Sequence, residues 1–210
     1  MSLQLEDYAE AYSTPEDDYL HRLYRATHTH LLYPRMASGH MQGLLLRMLC
    51  RMLRPRDVLE IGTFSGYSAL AMASGMEAGS RIVTYEINDE QEVFTRPWIE
   101  GSPYPAAIEM RIGNVLELLP QTDETFDLAY IDGNKRDYIR YYELVLSRLR
   151  EGGFIIADNT LWDGHVIDPA YARDAQTRAV DAFNAHVRDD DRVEQLMLTD
   201  RDGLTIIRKK

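Results

Sequence analysis

The chain has 210 residues, of which 45% are hydrophobic and 27% charged, and its formal net charge is −11. That length suits a single domain with a substantial core, and no apolar run approaches the roughly 20 residues that a membrane-spanning helix needs. The acidic balance opposes a sequence-independent grip on a phosphate backbone, and the lone cysteine, Cys50, permits neither an intramolecular disulfide nor a cysteine-rich zinc site.

The first third reads as helical. The acidic N-terminus lacks a signal-type apolar stretch, so a cytoplasmic protein is expected. Thr14-Pro15-Glu16-Asp17 is a helix start: Thr14 can cap, Pro15 suits the first turn, and the acids favour the positive helix end. The helix is expected to run to about Leu32, with Pro34 ending it. A second helix places Met41, Leu44, Leu45, Met48, Leu49, Met52 and Leu53 on one apolar stripe, and Cys50 lies in it as a small core residue. His28-Thr-His30 puts its imidazoles on different helix faces, which disfavours a metal site.

From Asp57 short β-type runs alternate with helices. Val58–Ile61, Arg81–Glu86, Ile108–Ile112, Phe126–Ile131 and Phe154–Ala157 read as strands. Helices are expected from about Tyr67, near Glu90–Ile99 and over Asp137–Leu149, the last ended by Gly152-Gly153. Such alternation predicts a parallel sheet covered on both faces. A helix over Ala175–Val187 is followed by Arg192–Leu198 and Leu204–Arg208, joined by Asp200-Arg-Asp-Gly203, an antiparallel hairpin.

Ligands in such folds bind outside the carboxyl ends of the strands. Two strands end there in oxygen-bearing side chains, Tyr130-Ile-Asp132-Gly-Asn-Lys135 and Phe154-Ile-Ile-Ala-Asp158-Asn159-Thr-Leu-Trp162. Asp132, Asp158 and Asn159 would converge there as an all-oxygen set suited to Mg²⁺ rather than zinc, with Lys135 beside them. Each residue alone also reads as ordinary structure: strand-end caps, a turn asparagine, a solvated lysine. Trp162 suits a wall for an aromatic substrate or simple packing equally.

Glu60-Ile-Gly62-Thr-Phe64-Ser-Gly66-Tyr67-Ser68 follows the first strand and opens a helix, the context of a nucleotide-cofactor turn. Phe64 stands where dinucleotide turns have the glycine that lets a pyrophosphate approach. That argues against NAD and for an adenosyl cofactor without phosphate. Glu86 ends the next strand, where an acid accepts hydrogen bonds from ribose hydroxyls.

On these residues the chain resembles class I S-adenosylmethionine-dependent O-methyltransferases, and more narrowly the divalent-metal-dependent group that includes catechol and caffeoyl-CoA O-methyltransferases. The likeness runs from about Met36 to Lys210. It implies a Rossmann-like, mostly parallel seven-stranded sheet with helices on both faces and a C-terminal antiparallel hairpin. It also implies one domain over residues 1–210, with 1–55 as a helical substrate and cofactor cover and 56–210 as the core. Asp132, Asp158 and Asn159 fall on the family's magnesium ligands and Lys135 on its proposed general base. The methyl-donor site maps to Glu60, Gly62, Phe64, Gly66, Tyr67, Ser68, Glu86, Gly113, Asn114, Asp132, Asn134 and Tyr141, with Met36 and Ser38 from the segment before the core helix. The acceptor side draws on Arg35, Met36, Lys135, Asn159 and Trp162, with Tyr8, Tyr12 and His165 as further pocket candidates. Gly113-Asn114 departs from the family's usual Gly-Asp, and Asn134 stands where many plant members have Asp.

The implied reaction moves a methyl group from S-adenosylmethionine to a hydroxyl of a catechol-like vicinal diol, aided by Mg²⁺ or another divalent cation. The rival acceptors are an acyl-CoA thioester or another natural-product hydroxyl, and a non-catalytic S-adenosylmethionine-binding protein is the reading from another class. A small aromatic diol is the expected partner, with no nucleic acid and no membrane. Relatives are often dimers, which makes a homodimer the expected assembly.

Overall fold

The computed structural model describes residues 3–210. Three helices lead the chain, α1 (Leu3–Ala11), α2 (Asp18–His30) and α3 (His40–Leu53). The sheet and its covers follow: β1 (Asp57–Ile61), α4 (Tyr67–Ala73), β2 (Arg81–Glu86), α5 (Glu92–Glu100), β3 (Ala107–Ile112), α6 (Val115–Leu118), β4 (Phe126–Ile131), α7 (Tyr138–Arg148), β5 (Leu149–Asp158), α8 (Ala175–Arg188), β6 (Val193–Leu198) and β7 (Leu204–Lys209). The seven strands lie in the order β3-β2-β1-β4-β5-β7-β6. The first five pair in parallel, while β7 runs antiparallel to β5 and to β6. The seven-stranded, mostly parallel sheet closed by a hairpin is the fold expected from the sequence.

The central strands feed two cores. Alternate residues of a strand point to opposite faces. Accordingly Leu59 and Ile61 join Tyr138, Tyr142 and Phe183 in the layer of α7 and α8. Val58 joins Leu46, Met72 and Tyr130 in the layer of α3 and α4. All seven residues of α4 are buried, because it lies under the N-terminal helices as well as on the sheet. Gly43 and Gly75 permit this close stacking: an added Cβ would lie 2.8 Å from the Tyr67 ring and 2.3 Å from the Arg47 carbonyl oxygen, respectively.

Two element boundaries differ from the sequence expectation. Helix α2 starts at Asp18, capped by Asp17, whose Oδ1 accepts the Tyr19 N–H at 2.9 Å. Asp is at least as good a cap as Thr, and its placement leaves Thr14 and Pro15 in the loop before the helix. Gly152 and Gly153 do not end α7, which stops at Arg148; both lie inside β5. They serve an irregularity in the β4–β5 pairing between Phe126 and Leu128, where a Cβ on Gly153 would lie 2.9 Å from the Asp127 carbonyl oxygen. A glycine at a bulge lets one backbone approach another. Helices α1 and α6 are additional to the expected elements.

The amino ends of the strands are tied by ion pairs. Arg81 meets Asp57 at 2.8 Å and Glu124 at 3.0 Å, and Arg150 meets Asp57 at 2.9 Å. The carboxyl ends carry the side chains of interest.

Candidate active site

The switch in strand order falls between parallel β1 and β4: the chain continues from β1 to β2 on one side and from β4 to β5 on the other. The carboxyl ends of β1 and β4 nearly touch. Gly62 has φ +101°, and a Cβ there would sit 2.4 Å from the Asp132 carbonyl oxygen, so only glycine lets the two ends approach this closely. Phe64, next in the turn, adopts φ +45°. Its backbone N–H donates to Glu86 Oε2 at 2.8 Å, and Asn88 N–H donates to Oε1 at 2.9 Å. Glu86 is thus fixed at the mouth of the glycine turn with lone pairs left for further donors. Gly66, at φ +81°, precedes the first residue of α4.

Beneath the turn Glu60 is fully buried. Ser68 and Thr84 hydroxyls donate to its two oxygens, each at 2.5 Å. Burial raises its carboxyl to about 8, against the lowering effect of those hydrogen bonds. Tyr67 points elsewhere: its hydroxyl donates to Glu16 at 2.6 Å and its ring packs near Gly43 and Tyr24, within the helical layer. At the end of β3, Asn114 caps α6 by accepting the Leu116 N–H at 3.0 Å, while Gly113 N–H donates to the Glu86 carbonyl at 2.7 Å. Asn134 accepts the Arg136 N–H at 3.3 Å. Tyr141 is buried against Gly133, where a Cβ would lie 2.9 Å from its ring.

Of the four residues of the proposed reaction centre, Lys135, Asp132 and Asn159 meet directly and Asp158 adjoins them. Lys135 is 7% exposed. Its ammonium donates to Asp132 Oδ1 at 2.8 Å, to Asn159 Oδ1 at 2.7 Å and to the Tyr138 hydroxyl at 2.5 Å. The Trp162 ring lies 5.9 Å from Lys135 Nζ, within cation–π range. Asp158 is turned slightly aside. Its Oδ1 accepts the Asn159 N–H at 2.7 Å, and its Oδ2 accepts the Tyr130 hydroxyl at 2.5 Å and the Gln42 amide. Burial, reinforced by Asp158, raises the Asp132 carboxyl to about 6 while the Lys135 ammonium pulls it down. Burial also pushes the Tyr130 and Tyr138 hydroxyls well above the usual phenol range.

The loop after β5 is built from unusual backbone. Asn159, Trp162 and Asp163 have φ of 56°, 50° and 53°, values uncommon outside glycine. The hairpin turn holds them there: the Asp202 carbonyl accepts the Leu161 and Trp162 N–H groups at 2.7 and 3.1 Å, and Asn159 Nδ2 donates to Asp202 Oδ2 at 3.3 Å. Gln42, Tyr138, Arg201 and Asp202 are site-linked residues that the sequence reading did not single out. Tyr138 had a local signal, lying one helical turn after Lys135; the others depend on contacts distant in sequence.

The remaining expectations scatter. Arg35 and Met36 lie exposed in the 3₁₀ turn before α3, and Ser38 is buried with its carbonyl accepting from Arg201. Tyr8 on α1 stacks with Tyr12 just beyond that helix, and His165 stacks on Tyr171. His28 and His30 are exposed, each Nδ1 hydrogen-bonded to a carbonyl of the preceding turn.

A hard divalent cation fits the donor set of Asp132, Asp158 and Asn159. All three offer oxygen, and the Oδ1 atoms of Asp132 and Asn159 already converge on a cation, the Lys135 ammonium. A second clustering among the described residues, Glu143, His186 and Asp190, is already engaged by a protein cation, Arg192, which meets both acids at 2.7 Å.

A parallel sheet in this order, with a glycine turn after the first strand, an acid ending the second and an antiparallel closing hairpin, defines a class I S-adenosylmethionine-dependent methyltransferase. Comparison with known proteins narrows this. The O-methyltransferase family model matches residues 10–210, so the chain belongs to that family. Caffeoyl-CoA O-methyltransferase 2 of Eucalyptus globulus is 33% identical over 186 residues, covering 83% of this chain and 75% of that one. The SAH-bound methyltransferase of Podospora anserina superposes with a TM-score of 0.91 at 29% identity, covering 99% of this chain and 94% of that one. The O-methyltransferase of Bacillus cereus, in complex with SAH, gives 0.90 at 29% identity, covering 99% and 97%. The protein is an S-adenosylmethionine-dependent O-methyltransferase, an enzyme that transfers a methyl group to a hydroxyl.

Proposed function

We propose that the acceptor is an aromatic vicinal diol, free or carried on an acyl-CoA, and that methylation depends on Mg²⁺ or a similar divalent cation. The observation that carries this reading is the convergence of Lys135, Asp132 and Asn159 on one point, with Asp158 adjoining. Asp132, Asp158 and Asn159 would hold the cation. Such a cation acidifies a hydroxyl bound to it, as it does water.

The chain's own residues account for the remaining chemistry. Glu86 accepts hydrogen bonds from the ribose, and the Gly62–Ser68 turn and the Asn114 and Asn134 amides line the donor side. Met36 and Ser38 close over it as part of a cover spanning residues 1–55. Arg35, Met36 and Trp162 border the acceptor. Lys135, in its unprotonated form, takes the acceptor's hydroxyl proton at Nζ. The acceptor oxygen then forms a bond to the methyl carbon as the carbon–sulfur bond breaks, leaving S-adenosylhomocysteine. Holding donor and acceptor near contact replaces much of the entropic barrier, and burial of the Lys135 region keeps water away. A name among the relatives, caffeoyl-CoA O-methyltransferase, supports a phenolic acceptor and keeps the acyl-CoA form within the proposal. A homodimer belongs to the same reading, and the apolar Leu32, Tyr33 and Met52, 90%, 71% and 74% exposed, offer surface for it.

Lys135→Ala tests the base. Proton transfer by a positioned side chain contributes roughly 10²–10⁴-fold, so kcat should fall by about 100-fold or more while S-adenosylhomocysteine affinity, read by calorimetry, stays near wild type. Wild-type turnover in the variant across pH 6–9 would remove Lys135 from that role.

A further inference from the structure

We propose that Arg201 and Gln42 are positioning residues for the Asp158 carboxylate, joined as a latch between the hairpin turn and the N-terminal cover. The proposal rests on the reading above that Asp158 helps hold a cation. It begins from an irregularity: Arg201 sits in the β6–β7 turn at φ +46°, a conformation that favours glycine. Residues kept in such a conformation point to a use for the side chain.

The side chain has one. Its guanidinium donates to the Ser38 carbonyl and, at 2.6 Å, to Gln42 Oε1. Gln42 lies in the first turn of α3 and is buried. Its Nε2 donates to Asp158 Oδ2 and to the Tyr130 hydroxyl, the latter at 2.9 Å. The order of these partners follows from their chemistry. Arginine can only donate and an ionised carboxylate can only accept, whereas an amide has one end of each kind. Gln42 is therefore held in a single orientation, oxygen toward Arg201 and NH₂ toward Asp158. Without Arg201, the amide oxygen loses the donor that pins it. Without Gln42, Asp158 Oδ2 keeps only the Tyr130 hydroxyl.

The latch ties together parts of the chain far apart in sequence: Arg201 and Gln42 are 159 residues apart, and Gln42 and Asp158 are 116 apart. It also draws the Ser38 carbonyl, in the segment proposed to cover the methyl donor, onto the same turn that supports Asn159. Groups that orient a ligating side chain are typically worth 10–100-fold in metal affinity.

The test is Mn²⁺ binding by titration calorimetry on the full chain, with thermal melting in parallel, for wild type, R201A, R201K and Q42M. The expected result is a Kd raised about tenfold or more in Q42M and several-fold in R201A. R201K, which keeps a donor facing the amide oxygen, should recover most of the affinity. S-adenosylhomocysteine affinity of Q42M should stay within about twofold of wild type. Unchanged Mn²⁺ affinity in both R201A and Q42M, with or without a lower melting temperature, would make the latch merely structural and overturn the proposal. R201A lies on an exposed turn, so it gives a reading even where Q42M fails to fold. No Mn²⁺ binding by wild type would overturn the metal reading itself, an outcome distinct from failure of the latch alone.

Discussion

Glu60 carries a property that its place in the sequence does not announce. Its position before the glycine turn marks it in the sequence as part of the cofactor site; its complete burial, with only two hydroxyls as partners, appears only in three dimensions. Burial favours the neutral acid, and its folded value of about 8 lies above the ordinary 4.5. Between those values the folded state holds more protons than the unfolded one, so stability falls as pH rises. The contribution is complete below about 4.5 and lost as pH passes through about 8. The melting temperature of the ligand-free protein should therefore drop from pH 5 to pH 8 by more in wild type than in Glu60→Gln, which keeps the neutral form's shape. Parallel melting curves for the two proteins would refute this account of Glu60. Lys135 makes the complementary point: its spacing from Asp132 was legible in the sequence, but its contact with Asn159 was not, because that needs the ends of β4 and β5 side by side.

At the scale of elements, the strands and most helices were readable because their signals are local: buried runs for the strands, an apolar stripe for α3, a glycine turn before α4. The misplaced boundaries arose where two local signals competed. Thr14 and Asp17 are both good caps, and the one with the favourable geometry won. Gly152-Gly153 resembles a helix stop, yet the pair accommodates a bulge against β4. The hairpin was predicted as the antiparallel closure of the sheet, and its turn also supports the site loop. Gly203, at φ +86°, would place a Cβ 2.5 Å from the Leu161 backbone nitrogen. Gly203→Ala should therefore destabilise the protein by about 2–4 kcal/mol, combining a positive-φ penalty with a backbone clash, and weaken Mn²⁺ binding through Asn159. Chemical denaturation checks the first and calorimetry the second; a loss under about 0.5 kcal/mol would show that the turn can shift freely.

For the whole molecule, the strand order does the main positioning. Parallel β1, β2, β3, β4 and β5 deliver Gly62, Glu86, Asn114, Asp132 and Asp158 to one edge of the sheet, and antiparallel β7 starts at that same edge, bringing Asp202 with it. The edge was foreseeable because every parallel strand ends in, or is followed at once by, a polar or glycine residue. The latch across it was not, since Gln42 reads as a polar interruption of an apolar helix and Arg201 as an ordinary turn residue. No described helix is long and apolar enough to cross a membrane. Light scattering on the purified protein should give twice the 24.2 kDa chain mass for the proposed homodimer; a monomer at assay concentration would contradict it. The central claim, cation-dependent methylation of a vicinal diol, is tested most directly by mass spectrometry of aromatic acceptors incubated with enzyme and S-adenosylmethionine, with Mg²⁺ or with excess EDTA. The account predicts a gain of one methyl on catechol-type acceptors with Mg²⁺, lost in EDTA and absent from matched monophenols. Equal methylation in excess EDTA would contradict it.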